Sequence, residues 1–286
     1  MLNRRIGRTS RGVVLSLGLA GLAIAGPVWC EPSPGDAGSL PASANSTKGA
    51  GMNAVIKGTL TGFMPFTVRG SAERGEPLPA DFEDMYLIRI VDPINFVAST
   101  VDSIPGMQTS FDSQLFLFDF QGRGVLANRD DPMTAAGGAT LLANSNDGSG
   151  ASVSQPGLYY LAISGQLNDP INEAGMPIFD FGDPHEISGP DGVMANQRRV
   201  DSWVGDGPFG DYFIQLQGVS FAENPCPGDC DLNGIIDFND LVCMLFEFGS
   251  PNVEGDCDVN GIVNFNDLIC ALFRFGPCDA MVPGGS

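Results

Sequence analysis

The chain has 286 residues, with 14 lysines and arginines against 34 aspartates and glutamates, and its net charge at pH 7 is −20. A field of this sign repels phosphate backbones and anionic lipid, so nucleic acid and membrane surfaces are not expected as partners, whereas divalent cations are. The length allows one or two compact domains.

The first 25 residues have the three-part form of a secretory signal. Four arginines between positions 4 and 11 precede an apolar run over 13–25, in which Ala23 and Ala25 form an A-x-A cleavage site. Because this run is short for a bilayer span, we predict a cleaved signal peptide, the alternative being an uncleaved anchor. Cleavage would remove four arginines and no acids, changing the net charge from −20 to −24. The protein is thus expected to be secreted or to stay at a bacterial cell surface, without membrane insertion.

Residues 26–52 are rich in Pro, Ser, Ala and Gly and show no apolar period. This composition is typical of a flexible linker, and we predict no fold for the segment.

From residue 53 to about residue 223, short segments heavy in β-branched and aromatic residues are separated by Gly, Asp, Asn and Pro. This pattern predicts strands, and the clearest cover 85–91, 96–101, 114–120, 157–164 and 211–218. In 114–120 three phenylalanines alternate with Leu115, Leu117 and Asp119, which predicts one buried aromatic face and one mixed face. Several such strands without a helical period favour an antiparallel β-sandwich.

Three stretches, DFEDMYLIRIVD, FDSQLFLFDFQGRGVLANRDDP and PGLYYLAISG, resemble the bacterial pre-peptidase C-terminal type of β-sandwich. The resemblance implies a secreted, non-catalytic accessory domain. It is interrupted by a long run over 166–210 that is rich in Gly, Pro, Asp and Asn and carries the only histidine, His185. Loops of this length are usually functional or disordered, and both alternatives stay open.

An internal repeat becomes visible when GDCDLNGIIDFNDLVCMLFEFG is aligned with GDCDVNGIVNFNDLICALFRFG, which places Asp256 27 residues after Asp229. In each copy oxygen donors fall at loop positions 1, 3, 5, 7, 9 and 12, with glycine at position 6, which is EF-hand spacing. We predict two Ca²⁺ sites; the alternative is a pair of acidic turns. The predicted ligands are Asp229, Asp231, Asn233, the carbonyl of Ile235, Asp237 and Asp240 in the first loop, and Asp256, Asp258, Asn260, the carbonyl of Ile262, Asn264 and Asp267 in the second.

A helix is predicted after each loop, because apolar residues recur at i, i+3, i+4, i+7 and i+8. We expect both apolar stripes to be buried, with the two helices packed on each other. The stripes consist of Phe238, Leu241, Val242, Leu245 and Phe246, and of Phe265, Leu268, Ile269, Leu272 and Phe273.

This arrangement resembles the dockerin type I module, in which each of two calcium loops is followed by a helix. The resemblance implies a small α-helical docking module over 224–280, followed by a tail over 281–286, with a cohesin-like protein, a cell-surface protein or an extracellular polysaccharide as partner. Cellulosomal dockerins carry short hydroxyl residues at loop positions 10 and 11. This chain departs from them with Phe238 and Asn239 in the first loop and Phe265 and Asn266 in the second.

Six of the seven cysteines lie in this module, and the seventh is Cys30. In an exported chain an even local count favours disulfides over metal-bound thiolates. Cys226 and Cys278 flank the repeats, so we predict that they form a bridge that clasps the module's ends. The remaining four, at equivalent places in the two copies, leave more than one pairing open: Cys230, Cys243, Cys257 and Cys270.

No enzyme motif accompanies these features. There is no H-E-x-x-H, no P-loop and no G-x-S-x-G around a serine nucleophile, and His185 is the only histidine base on offer. A non-catalytic calcium-binding interaction protein is therefore predicted. The alternative is an accessory protein or O-glycosyl hydrolase of extracellular polysaccharide breakdown, since a pair of catalytic carboxylates could be present among so many acids.

Five polar residues could form a further calcium site; the alternative is that they are ordinary polar turn residues. They are Asn128, Asp130, Asp131, Asn146 and Asp147.

Overall fold

A computed structural model gives the fold of the chain, and its described residues contain two main sheets, two small ones and two helices. The predicted signal peptide (1–25), Asn260 and the tail (281–286) lie outside the described residues. No helix in the described part is long and apolar enough to serve as a membrane span. The described ranges are 27–32, 36–49, 51–62, 81–101, 108–133, 137–192, 199–223, 226–231, 233–250, 254–258 and 262–278.

The two main sheets face each other as a sandwich. The first has the strand order β1-β3-β13-β5-β8, and the second β11-β7-β6-β9-β4-β14, with β2 also paired to β4. In chain order these strands are β1 Val28–Cys30, β2 Asn45–Ser46, β3 Val55–Thr59, β4 Glu83–Ile90, β5 Val97–Ser99, β6 Ser113–Asp119, β7 Gly124–Asn128, β8 Thr140–Leu142, β9 Gly157–Gly165, β11 Ile187–Ser188, β13 Asp211–Gln217 and β14 Val219–Phe221. The five strands predicted from sequence are confirmed as β4, β5, β6, β9 and β13.

The sheets are mixed rather than purely antiparallel, which corrects the predicted architecture. β1 runs parallel to β3, and β2 runs parallel to β4. Both parallel partners come from the segment predicted to be an unfolded linker, so that prediction is wrong for its described residues. Thr47 and Ala37 are fully buried there, and the Trp29 ring lies 5.3 Å from that of Tyr86. A few well-placed side chains and backbone pairing with β3 and β4 suffice to hold a segment whose average composition is typical of a linker.

The second sheet is buried on both faces, which differs from the single covered face predicted for β6. Leu115 and Leu117 point into the core between the sheets, and Phe116 and Phe118 point to the opposite side. There the Phe116 ring meets that of Trp203 at 5.4 Å. Trp203 belongs to a third layer formed by β10 (Asp169–Asn172) and β12 (Val200–Val204). The long insertion over 166–210 thus has a packing role in its described parts.

The C-terminal module contains α1 (Phe238–Phe246), α2 (Phe265–Phe273) and a small ladder of β15 (Ile235–Ile236) with β16 (Gly276–Pro277). The predicted bridge between Cys226 and Cys278 is present. The other two bridges, Cys230–Cys243 and Cys257–Cys270, each tie a loop to its own helix. With all six cysteines bonded, thiolate ligation of a metal is ruled out for them.

The helices contact each other as predicted, but most of their apolar stripes are not core, which corrects the predicted burial. Phe246 and Phe273 are 86% and 88% exposed, while Met244 and Ala271 are fully buried. The disulfides fill much of the interior beside these two residues, so nine-residue helices can leave their larger side chains outside. Val242 and Ile269 are exposed to a smaller extent. The aromatic stripe, as we call the helix side chains that are more than half exposed, consists of Phe238, Leu245 and Phe246 of α1 and Phe265, Leu272 and Phe273 of α2.

A buried ion pair joins the module to the sandwich. Arg89 Nε of β4 lies 2.9 Å from Glu254 Oε1, and the two side chains are only 12% and 9% exposed. The same guanidinium donates from Nη2 to the Ala222 carbonyl at 3.1 Å. The module is therefore anchored to β4, an interior strand of the second sheet, by an ion pair as well as by the chain connection.

Candidate metal centre

The first loop is closed by the carboxylate of its last residue. Asp240 is the third residue of α1 and is fully buried. Its Oδ1 accepts from the Asp231 amide at 3.1 Å and its Oδ2 from the Asp237 amide at 2.7 Å. Asp237 in turn caps α1 by accepting from the Asn239 amide at 2.6 Å. One carboxylate thus ties the start of the loop to the start of the helix.

The carboxylate of the first residue of the loop also accepts backbone hydrogen bonds, which stabilise the turn. Asp229 is fully buried and accepts from the amides of Asn233 at 3.0 Å and Gly234 at 2.9 Å. Gly234 has φ of +85°, which L side chains rarely adopt, so glycine at loop position 6 is required by the backbone. The loop is therefore bent around the Asp229 carboxylate.

These closures bring three carboxylates of the first loop together. One oxygen from each of Asp229, Asp231 and Asp240 lies within 4.8 Å of the others. Burial, together with the negative charges of Asp240 and Asp231, raises the pKa of Asp229 to about 6. Burial and Asp240 likewise raise the pKa of Asp231. Such a trio is costly to keep ionised, and a divalent cation would relieve the repulsion.

The second loop repeats this geometry in its described residues. One oxygen from each of Asp256, Asp258 and Asp267 lies within 4.8 Å of the others. Asp267 accepts from the Asp258 amide at 3.0 Å and from the Asn264 amide at 2.7 Å, which matches the two bonds that close the first loop. Asn264 caps α2 through the Asn266 amide at 2.8 Å. Both closures use the residue at loop position 12.

The other predicted ligands among the described residues make hydrogen bonds within their own loops. Asn233 Oδ1 accepts from the Ile235 amide at 2.8 Å, and Asn264 Nδ2 donates to the Ile262 carbonyl at 3.1 Å. Asp237 and Asn264 are engaged as helix caps. The trios are thus the core of each candidate site, with the other loop oxygens around them.

The five polar positions weighed as a further site fit the polar-turn alternative, because most of their side-chain oxygens are engaged with nearby backbone. Asn128 Oδ1 accepts from the Thr140 amide at 2.7 Å, Asn146 Oδ1 from the Ile187 amide at 2.7 Å, and Asp131 Oδ1 from the Met133 amide at 2.8 Å. They form no metal-binding group among the described residues. His185 is exposed, with Nδ1 3.2 Å from the Asp131 carbonyl.

One acidic cluster was missed from the sequence. Glu31, Asp36 and Asp84 place one carboxylate oxygen each within 4.8 Å. Asp84 is far along the chain from the other two, and Glu31 and Asp36 lie in the predicted linker, so neither spacing nor composition could have indicated the cluster.

Comparison of the chain with protein-family models, with curated proteins and with solved structures found no match.

Proposed function

We propose that this chain is a secreted, non-catalytic protein whose C-terminal module binds two Ca²⁺ ions and, once loaded, docks the β-sandwich to a partner protein. The observation that carries the proposal is the pair of equivalent carboxylate trios, each closed by the same two backbone hydrogen bonds to loop position 12. Three disulfides support export, since such bridges persist in oxidising compartments.

The donor chemistry favours Ca²⁺ at both loops. Every donor predicted there is a hard oxygen from a carboxylate, an amide or a backbone carbonyl. Ca²⁺ takes six to eight such oxygens in flexible geometry, whereas Mg²⁺ demands a tighter octahedron. Bound calcium would neutralise the clustered charge and fix the loops at the N-termini of α1 and α2.

The aromatic stripe is the docking surface in this proposal. Each helix exposes three large apolar side chains of the same types to solvent. Large exposed apolar patches on monomeric proteins usually mark interaction sites. The loops beside the stripe are acidic, so the partner is expected to offer an apolar surface with a basic rim. A cohesin-like or other cell-surface protein is the partner in this proposal.

The two sites should differ in affinity, because the first loop has four carboxylates and the second has three. We expect Asp240→Ala to abolish the tighter binding event and Asp267→Ala the weaker one, each leaving the other in place. Calorimetric titration of the oxidised protein with Ca²⁺ measures both, with Asp201→Ala, an exposed position on β12, as control. The reverse order of affinities would refute the charge argument.

Docking is tested by capture from the secretome of the producing cell. We expect the calcium-loaded protein to retain a partner that is released by chelation and is not retained by the Phe246→Ser/Phe273→Ser variant. Phe120→Ser is the matched control, because Phe120 is an exposed aromatic residue of the sandwich. Retention of the same partner by the Phe246/Phe273 variant, or in the presence of chelator, contradicts the proposal.

A further inference from the structure

Acidic side chains converge at one end of the sandwich, away from the calcium loops. Glu31 follows β1, Asp36 lies in the segment after it, and Asp84 is the second residue of β4. One carboxylate oxygen from each lies within 4.8 Å of the others. The cluster thus joins the N-terminal segment to a central strand of the second sheet.

Asp84 is the unusual member, because it is a fully buried carboxylate with one unsatisfied oxygen. Its exposed fraction is 0%. Oδ2 accepts from the Tyr212 hydroxyl at 2.5 Å, whereas Oδ1 is buried and has no hydrogen-bond partner. A buried acceptor left unpaired is costly, and a cation bound to this oxygen would remove that cost.

Glu31 likewise has one hydrogen-bonded and one unpaired carboxylate oxygen. Oε2 accepts from the Thr59 amide at 3.2 Å, and Oε1 is buried without a hydrogen-bond partner. Two separate segments therefore each contribute one buried, unsatisfied carboxylate oxygen to a single cluster. This is what an oxygen-coordinated cation requires.

Within the part of the chain that the structure describes, no basic side chain forms an ion pair with the cluster. The ion pairs among the described residues join Lys48 to Glu223, Arg89 to Glu254, Arg123 to Asp119 and Arg129 to Asp169. None of them includes a member of the cluster.

Two further acids lie close enough to add to the negative field. Asp81 accepts from the Thr61 amide at 2.9 Å and Glu83 from the Asn168 side chain at 2.7 Å, so both already have partners. Burial and the neighbouring Glu31 raise the pKa of Asp84 to about 9, and burial is also the main cause that raises the pKa of Glu31. The folded site therefore destabilises the ionised form of these carboxylates when no cation is bound.

We propose that Glu31, Asp36 and Asp84 bind a third Ca²⁺ ion, which fastens the N-terminal segment to β4. The three carboxylates supply three to six oxygens, depending on whether each binds through one atom or two, and water completes the shell. The Tyr212 hydroxyl orients Asp84 by donating a hydrogen bond to it, and is itself hydrogen-bonded to the Tyr86 hydroxyl. This site does not depend on the two loops.

The aromatic residues of the chain make this site separately observable. Both tryptophans and all four tyrosines lie outside residues 226–278, where the only aromatic residues are phenylalanines. Tyr212 donates to Asp84 and is hydrogen-bonded to Tyr86, whose ring lies 5.3 Å from that of Trp29. Terbium, a luminescent substitute for Ca²⁺, would be sensitised through tryptophan and tyrosine at the sandwich site and not in the loops.

The experiment is a terbium titration of the exported full-length protein, excited in the tryptophan and tyrosine band. We expect sensitised emission that Ca²⁺ displaces and that persists in the Asp240→Ala/Asp267→Ala variant. Asp36→Asn and Asp84→Asn should weaken terbium binding about tenfold or more, a scale on which even outer partners of a metal site act. Asp36 is exposed, so its variant should fold normally. Asp201→Asn carries the same charge change at an exposed position on β12 and should leave the emission unaltered.

Two results would overturn the inference: no sensitised emission from the wild-type protein, or emission that is lost with the loop variant and unaffected by Asp36→Asn and Asp84→Asn. Failure of the loops to bind Ca²⁺ would appear in calorimetry instead, so the two proposals fail separately.

Discussion

Removing calcium is expected to release the C-terminal module from its ordered state while the sandwich stays folded. Residues 224–280 carry ten acids and one arginine, a net charge of −9. Six of those acids form the two carboxylate trios. Without a cation, folding must bring these charges together against their repulsion, so binding and folding are coupled. At a hundredfold excess of free Ca²⁺ over Kd, each site would contribute about 2.7 kcal/mol to the folded state.

Hydrogen exchange of the full-length protein measures this effect segment by segment. In chelator, amides of α1 and α2 should lose protection, while those of β6 and β9 in the sandwich core keep theirs. The three disulfides keep the module covalently linked, so chelation is expected to remove only the local order of its helices and loops. The Asp240→Ala/Asp267→Ala variant should behave in calcium as the wild type does in chelator. Equal protection of the module with and without calcium would contradict the coupling.

Breaking the buried ion pair between the domains is expected to have the second large effect. Arg89→Met should cost about 3–5 kcal/mol, because it leaves the Glu254 carboxylate in a buried place without its guanidinium. Replacing both residues, in Arg89→Met/Glu254→Met, should recover most of that loss, since no buried charge is then left unpaired. Denaturant unfolding of the calcium-loaded protein gives the free-energy differences.

A matched control is available at the surface. Lys48 and Glu223 form an ion pair of 2.8 Å in which the side chains are 67% and 50% exposed. Lys48→Met should therefore change the free energy of unfolding by about 0–1 kcal/mol. If Arg89→Met and Lys48→Met had equally small effects, the Arg89–Glu254 contact would not anchor the module.

The sequence predicted the locally encoded features well and the distant contacts poorly. The strands β4, β6 and β9 follow from short segments rich in β-branched and aromatic residues, and the loops and helices from a spacing that is complete within about twenty residues. The bridge between Cys226 and Cys278 could also be predicted, because only these two cysteines flank the repeats. The other pairings stayed open, since equivalent positions in the two copies offer several equivalent solutions.

The errors concern burial, which spacing does not determine. Phe246 and Met244 are both apolar residues of α1, yet the first is 86% exposed and the second is fully buried. The helical spacing predicted that the aromatic stripe is buried, because the stripe is the wider apolar surface of each helix. In the folded module the disulfides fill much of the interior, and Met244 of α1 and Ala271 of α2 are the apolar helix residues that are fully buried beside them.

What the sequence by itself determined is the set of short-range geometries: the strands, the two helices and the loop positions from which oxygen donors can converge. The tertiary structure alone decided that the N-terminal segment pairs with the sandwich, that Arg89 meets Glu254, and that the carboxylates of Glu31, Asp36 and Asp84 lie close together. The physical reason is that local spacing fixes which side chains point the same way. Which distant segments meet depends on how the sheets and the module pack together.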